Sequence, residues 1–350
     1  MKILITGGAG MAGSHAAEYF AAKKNSRVMV LDNLCRSSLF GCKRRSVEFN
    51  WEYLRRFSNV RRIIGDIRDH ALLKKTLSGG VDAVIHAAGQ PGVPSSIRMP
   101  EEDFSVNAAG TLSLLEAVRK YSPRAGVIFC STNKVYGENV DGIPSRKTAS
   151  RYVYREQPKG VTEIMPVDNT GHTPYGASKL CADIYVQEYG RIFGLNTAVF
   201  RMSCIYGTRQ FGFEEQGWVA WFAAAALLGR GVTIYGDGRQ VRDLLYAADL
   251  SEAFDKCLAS PGKNMRGEVY NIGGGKDNTV SLREMLFKLE RLSGRRIKTR
   301  FAPWRQSDQK VYISDTSKAA RMLGWKPRVG VDDGIARLFK WTKENIGMFR

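Results

Sequence analysis

The chain is poor in the residues from which metal centres, disulfide frameworks and membrane spans are built. It has only four histidines, scattered along 350 residues, and six cysteines at 35, 42, 130, 181, 204 and 257 that show no paired short spacing. A zinc site and a disulfide framework are therefore disfavoured, no metal ligand set is assigned, and the thiols suit a reducing compartment. No apolar run reaches the roughly 18 residues of a transmembrane helix. The most apolar stretch, Trp221 to Leu228, is too short, and the first apolar strand begins almost at Met1, leaving no charged-then-apolar leader. A cytoplasmic protein with no membrane partner is expected.

Acidic residues are also scarce, with 34 Asp and Glu against 53 Lys and Arg, a formal net charge of +19. Such a charge suits nucleic acid, but the basic residues run the whole length, with local patches at Lys43-Arg44-Arg45 and Arg295-Arg296, and no base-stacking motif accompanies them. No nucleic-acid partner is expected. The same field would steer an anionic small molecule. Internal repeats and low-complexity tracts are absent, and 350 residues exceed a usual single core, so a larger and a smaller domain are expected.

Short apolar strands ending in small or polar residues recur through the first half. Met1 to Thr6 leads into Gly7-Gly8-Ala9-Gly10-Met11-Ala12-Gly13 and an alanine-rich helix. Strand, glycine turn and helix in that order let backbone N–H groups approach a pyrophosphate at a helix N-terminus. Arg27 to Leu31 ends in Asp32, placed to accept from the adenosine ribose hydroxyls and to repel a 2′-phosphate, which favours NAD over NADP; Arg36 nearby pulls the other way. Arg62 to Ile64 precedes Gly65-Asp66-Ile67, where Asp66 and Ile67 could flank the adenine. Ala83 to His86 precedes Ala87-Ala88-Gly89, which leave room for the cofactor to cross the sheet edge, and Gly126 to Cys130 precedes Ser131-Thr132. The pattern is that of an α/β fold, a Rossmann-type doubly wound parallel sheet binding its ligand at the carboxyl ends of the strands.

Thr132 is followed 43 residues later by Tyr175-Gly176-Ala177-Ser178-Lys179. Tyr175 and Lys179 stand four apart, on one face of a helix that Thr173 would cap and Pro174 would begin. A cation near the phenol is expected to favour phenolate and lower the tyrosine pKa toward working pH, and Thr132 would hydrogen-bond the same substrate oxygen. Hydroxyl, phenol and ammonium are the parts needed to move a proton and a hydride together.

With these residues the chain resembles the extended short-chain dehydrogenase/reductase superfamily, in particular its nucleotide-sugar epimerases and dehydratases, from Met1 to about Trp341. The resemblance implies Thr132, Tyr175 and Lys179 as catalytic residues and bound NAD as hydride acceptor and donor. It extends the cofactor set to Gly7, Gly10, Met11, Ala12, Gly13, Asp32, Asn33, Asp66, Ile67, Ala87, Ala88, Gly89, Asn107 and Ser131, besides Tyr175 and Lys179. On the substrate side it points to Gln90, Ser96, Asn133, Cys204, Arg209, Gln210, Arg242, Arg305 and Asp308.

The family's dehydratases carry an Asp-Glu pair after the catalytic hydroxyl; here it is Asn133-Lys134, without a carboxylate to drive elimination. This pair, the stretch Phe200 to Phe211, Glu215 to Val219 and Arg305 to Gln309 resemble the branch that inverts C2 of a CDP-deoxysugar. A C4 epimerase or reductase acting on another sugar nucleotide, such as UDP-glucose, is the alternative, and a non-catalytic NAD-binding sensor a third. Cys204 departs from the asparagine many members use near the nucleotide diphosphate. Arg242, in Gly236 to Asp243, is the first candidate for the substrate phosphates because an arginine fork binds phosphate oxygens bidentately; Arg209 and Arg305 come next. Residues 1–200, with a returning segment near 240–272, are expected to form the NAD-binding domain, and 201–350 mainly a smaller C-terminal α/β nucleotide-sugar domain. Residues 138–169 read as an insertion over the site, lid or inert surface. A homodimer or homotetramer is expected from the family.

Overall fold

Short aliphatic strands flanked by glycine and small residues build one long parallel sheet in the computed structural model, which describes residues 1–37, 44–156 and 159–349, the side chains of 44–47 excepted. Cys42, Lys43 and the side chains of Arg44 and Arg45 lie outside the described residues.

In chain order the large layer comprises β1 (Lys2–Thr6), α1 (Met11–Ala21), β2 (Arg27–Asp32), α2 (Arg44–Tyr53), β3 (Val60–Ile64), α3 (His70–Leu77), β4 (Ala83–His86), α4 (Gly110–Tyr121), β5 (Gly126–Thr132), α5 (Pro174–Ile192) and β6 (Asn196–Met202). The remainder adds β7 (Cys204–Tyr206), α6 (Trp218–Leu228), β8 (Val241–Tyr246), α7 (Ala247–Leu258), β9 (Glu268–Ile272), α8 (Leu282–Ser293), β10 (Val311–Tyr312) and α9 (Val331–Glu344). Seven parallel strands pair in the order β9-β6-β5-β4-β1-β2-β3. Helices cover both faces, so the central strands are continuously apolar instead of alternating: every residue of β4 and β5 is buried. Alternation survives in direction. Ile3 and Ile5 pack with Phe20 of α1 and Phe254 of α7, whereas Leu4 faces Leu73, Leu77 and Leu115 on the other side.

The smaller part gathers β8 beside β7, β10 and the strand Thr279–Ser281. Its core lies between α6, α8 and α9, where Phe222, Met285, Leu289 and Leu338 are buried together. The described residues of the 138–169 segment are docked onto this part. A hairpin of Ser145–Lys147 and Tyr152–Tyr154 sends Arg151 to Glu284 and Tyr152 to Asp237 (2.9 Å), and Tyr154 donates to Val311 O (2.8 Å).

His86 ends β4 with its ring between Thr6 Oγ1 (2.7 Å) and Thr111 Oγ1 (3.0 Å). Burial, then the neighbouring Lys179, lowers its pKa from 6.5 to about 3. The folded protein thus keeps this imidazole neutral where an unfolded chain protonates it. Its contribution to stability is complete above 6.5, is lost as pH falls toward about 3, and changes no further below. That loss amounts to up to about 1.4 kcal/mol per pH unit. We expect His86→Gln to flatten the decline of melting temperature between pH 6.5 and 4 relative to the parent, whatever its offset at neutral pH. Parallel curves would show that this ring contributes nothing to the acid limb.

Candidate active site

The carboxyl ends of β1 to β6 line one cavity of about 390 Å³. Its floor is the turn after β1. Gly7 has φ +71°, and a Cβ there would stand 2.6 Å from the carbonyl carbon of Ala87; a Cβ on Gly13 would stand 2.2 Å from Gly7 O. Only glycine fits at either position, and the backbone is left bare toward the cavity. No side chain caps α1 after Gly10, and its first turn holds no acidic residue, so its N-terminal N–H groups present a positive end there.

At one end of the cavity, Asp32 accepts from Ala9 N (2.9 Å) and Leu34 N (2.8 Å). Burial raises its pKa, and these two bonds oppose the shift. Asn33 donates to Asp66 (2.8 Å), whose carboxyl the Arg68 guanidinium holds down at about 2. Arg36 lines the same cavity, and its Nη2 donates to Phe211 O (2.7 Å) and Gln216 Oε1 (3.0 Å). Next along the wall come Ile67 and the loop Ala87 to Gly89. Asn107, in a wide helical turn over Ser105–Ala109, accepts from Gln90 N (2.9 Å) and donates to Gln90 O and Ser178 Oγ (both 3.1 Å). Ser131 donates to Asp183, which Arg201 clamps at 3.0 and 3.1 Å.

Thr132, Tyr175 and Lys179 line the other end. Thr173 caps α5 through Gly176 N, Pro174 starts it, and Ser96 Oγ accepts from Tyr175 N (3.0 Å). The Thr132 hydroxyl lies by the phenol and opposes the rise in its pKa, while it donates to Asn133 Oδ1 (3.4 Å) and accepts from Lys134 N (3.3 Å). The lysine does not act on the phenol as its spacing suggests. Lys179 Nζ donates to Cys130 O (2.7 Å) and lies 3.9 Å from the centre of the Phe129 ring. Burial dominates both groups, pushing the tyrosine up to about 12 and the lysine down to about 8. The expectation of a phenol lowered by its lysine is corrected here: loss of water outweighs the effect of the Thr132 hydroxyl, and Lys179 is not a source of the shift.

The expected substrate residues fall into two groups. Gln90, Cys204, Arg209 and Gln210 line the cavity; Ser96, Asn133, Arg242, Arg305 and Asp308 do not. Cys204 is a buried thiol, raised to about 12 by desolvation and hydrogen-bonded with Trp218. Arg242 forms an ion pair with Asp308, and Arg305 lies 3.9 Å over the Tyr235 ring while donating to Glu214 O. Asn133 donates to Gln309 (3.3 Å). Sequence reasoning used Lys134 only as half of the Asn133-Lys134 pair and gave it no contact of its own; its buried Nζ donates to Ser307 O (3.0 Å) and is lowered to about 8. It missed Asn50 of α2, which joins Ala9 O to Arg209 O at 3.1 and 3.2 Å. No motif marks Asn50, and the partners of both residues lie far along the chain.

These features fit a dinucleotide: a bare glycine turn at a helix N-terminus, a carboxylate for ribose hydroxyls, and buried polar atoms on the cavity wall, Arg209 Nε and Gln210 Oε1, that have no protein partner. Comparison with known proteins agrees. Residues 3–273 match the model of the NAD dependent epimerase/dehydratase family. The chain is 39% identical to CDP-paratose 2-epimerase of Salmonella typhi over 98% of its own length and 99% of that protein. Among solved structures it is similar to UDP-glucuronic acid 4-epimerase of Bacillus cereus in complex with UDP-glucuronic acid and NAD, at 27% identity and TM-score 0.82, covering 99% of this chain and 100% of that one. It is also similar to the dTDP-glucose 4,6-dehydratase DesIV of Streptomyces venezuelae, at 30% identity and TM-score 0.80, covering 99% and 98%. The chain therefore belongs to the NAD dependent epimerase/dehydratase family, and NAD is its cofactor.

Proposed function

We propose that the chain is an epimerase of a nucleotide-activated sugar that converts CDP-paratose to CDP-tyvelose by oxidising C2 and reducing it again on the other face. One observation carries the choice of epimerisation over elimination. Among the described residues lining the cavity the only carboxylates are Asp32 and Asp66, both at the adenosine end. Nothing beside Thr132 and Tyr175 can protonate a leaving hydroxyl or take a carbon-bound proton as a carboxylate would. The likeness to the Salmonella 2-epimerase supports the CDP sugar and the C2 position.

Bound NAD supplies the acceptor and later the donor of hydride, together with a positively charged ring. Thr132 holds the substrate oxygen and Tyr175 takes its proton, so that a ketone is left at the oxidised carbon. A phenol that burial holds near 12 needs positive charge beside it to serve as base, and a charged ring and the Lys179 ammonium are the groups of the right sign. After the keto sugar turns over, Tyr175 returns the proton to the oxygen. Asn33, Asp66, Ile67, Asn107 and Ser131 complete the cofactor set; Arg242 and Arg305 are proposed to meet the substrate diphosphate at the small-domain side, with Asp308, the ion-pair partner of Arg242, in the same substrate-binding group. A second reading, C4 epimerisation of another sugar nucleotide, is favoured by the relatives that act at C4 and would use the same three residues. A cytoplasmic homodimer or homotetramer completes the proposal, with exposed Ile184, Tyr185 and Ile192 of α5 as the apolar face available for association.

Removal of the phenolic hydroxyl in Tyr175→Phe should lower kcat by about 10² to 10⁴ while sugar-nucleotide affinity changes little; normal turnover would sink the proton-transfer assignment. Asp32→Ala should weaken NAD and raise the relative affinity for NADP, because Arg36 is committed to Phe211 and Gln216. An unchanged preference would mean another group discriminates. Proton NMR in deuterated water tests the reaction itself, with CDP-paratose, CDP-glucose and UDP-glucose as parallel substrates. Inversion of CDP-paratose at C2 with its hydrogen retained is expected; deuterium at C2 would require proton abstraction from carbon, and turnover of UDP-glucose alone would favour the C4 reading.

A further inference from the structure

We propose that Arg209 is a ligand of the cofactor's diphosphate, and that the segment carrying it, residues 208–216, is a latch fastened across the dinucleotide to the Rossmann half. The sequence groups this arginine with the sugar-nucleotide residues. The structure puts it beside the glycine turn. Asn50 holds Ala9 O and Arg209 O with one amide, at 3.1 and 3.2 Å. The His15 ring of α1 meets Thr208 O at 2.9 Å, and Glu18, one turn further, takes Arg209 Nη2 at 2.7 Å. The guanidinium lies 4.0 Å over the Tyr53 ring, which fixes its plane. Arg209 itself has φ +59°, a conformation rare outside glycine that persists where surrounding contacts impose it.

The side chain is 5% exposed, yet its Nε has no partner, and the adjacent Gln210 Oε1 is also without one. Arg209 lines the cavity, a buried guanidinium nitrogen without an acceptor is costly, and a diphosphate supplies charge and oxygens in the geometry a fork prefers. Glu18 offsets one charge only. Of the three basic residues on the cavity wall among those described, Lys179 donates to Cys130 O and Arg36 reaches Phe211 and Gln216, while Arg209 sits on the segment that Asn50 ties to Ala9 O in the glycine turn before α1. His15, Glu18, Asn50 and Arg36 thus fasten the 208–216 stretch from three separate parts of the large domain. If the reaction is the oxidation and re-reduction proposed above, such a latch keeps one cofactor in place between the two hydride transfers.

The test measures binding, independently of which sugar is the substrate. Arg209→Met, Arg209→Lys and Arg242→Met are each stripped of cofactor, checked by melting temperature, and titrated with NAD, ADP-ribose and adenosine. Arg209→Met should bind NAD and ADP-ribose about tenfold or more weakly, with adenosine unchanged, since one charge-assisted contact to the diphosphate is lost. Arg209→Lys, which keeps charge without the fork, should fall between, and Arg242→Met should match the parent. If Arg209→Met does not fold, the lysine variant decides by the same comparison of ADP-ribose with adenosine. Parental NAD affinity in the arginine variants overturns the proposal, as does an equal loss for adenosine, which would mark a purely structural role.

Discussion

The site depends on the contact between two turns. The backbone after β1 and the backbone after β4 approach so closely that a Cβ on Gly7 would stand 2.6 Å from Ala87, and this fixes α1 against the loop that leads to the catalytic end. Two residues further, Gly89 is equally confined: its Cβ would meet Asn107 Oδ1 at 2.9 Å and Lys179 Nζ at 3.9 Å. The glycine turn and Lys179 are thus referenced to the same short loop. A side chain at either glycine would disturb both ends of the cavity together, so the seven-stranded layer positions both without a separate scaffold for each.

Dryness is the second constraint. Tyr175, Lys179 and His86 all sit where burial overrides their ordinary preferences, the phenol going up to about 12 and the two bases down to about 8 and 3. Each shift favours the neutral form, yet a lysine near 8 still carries its charge at neutral pH, so Lys179 leaves one positive charge at that end of the cavity. Where water is displaced, every incoming charge counts for more, because interaction energies rise as the effective dielectric falls. The reactive protonation state is therefore set by what binds as much as by the triad. Reasoning from the Tyr-x-x-x-Lys spacing placed both groups on one cavity but misjudged the balance: spacing reports which side chains can share a face, while the pKa is decided by solvent exclusion that no local pattern records.

The same division runs through the rest of the molecule. Continuous apolar strands, the glycine turn, Asp32 at a strand end and the Thr173-Pro174 helix start were legible because each is marked by a residue pattern within its own segment, even where its contacts are distant. What escaped notice joins distant segments. Asn50 and Arg209 are 159 residues apart, Lys134 and Ser307 173, and Arg151 and Glu284 133. An arginine in a motif can be recognised from sequence, but the direction its guanidinium takes depends on which distant element arrives beside it. For Arg209 that element is α1, and for Arg242 it is the chain around Asp308. The docking of the 138–169 insertion against the small part was hidden for the same reason.

Asn133 and Lys134 show how one position in a shared scaffold can change its use. They follow directly on Thr132, close to the reacting carbon in the proposed reaction, yet their side chains run outward to Gln309 and Ser307. Gln309 in turn donates to Gly137 O (3.1 Å), Asp141 accepts from Lys310 N (3.2 Å), and Asp308 meets Arg242. The pair thereby ties the 307–310 strand of chain to the segment that positions the catalytic hydroxyl. A carboxylate at either place would lose these donors and put negative charge beside Asp308 and Asp141, so gaining elimination chemistry would cost the strap its anchor. The cofactor latch at 208–216 and this strap are separate stretches of chain fastened to different partners.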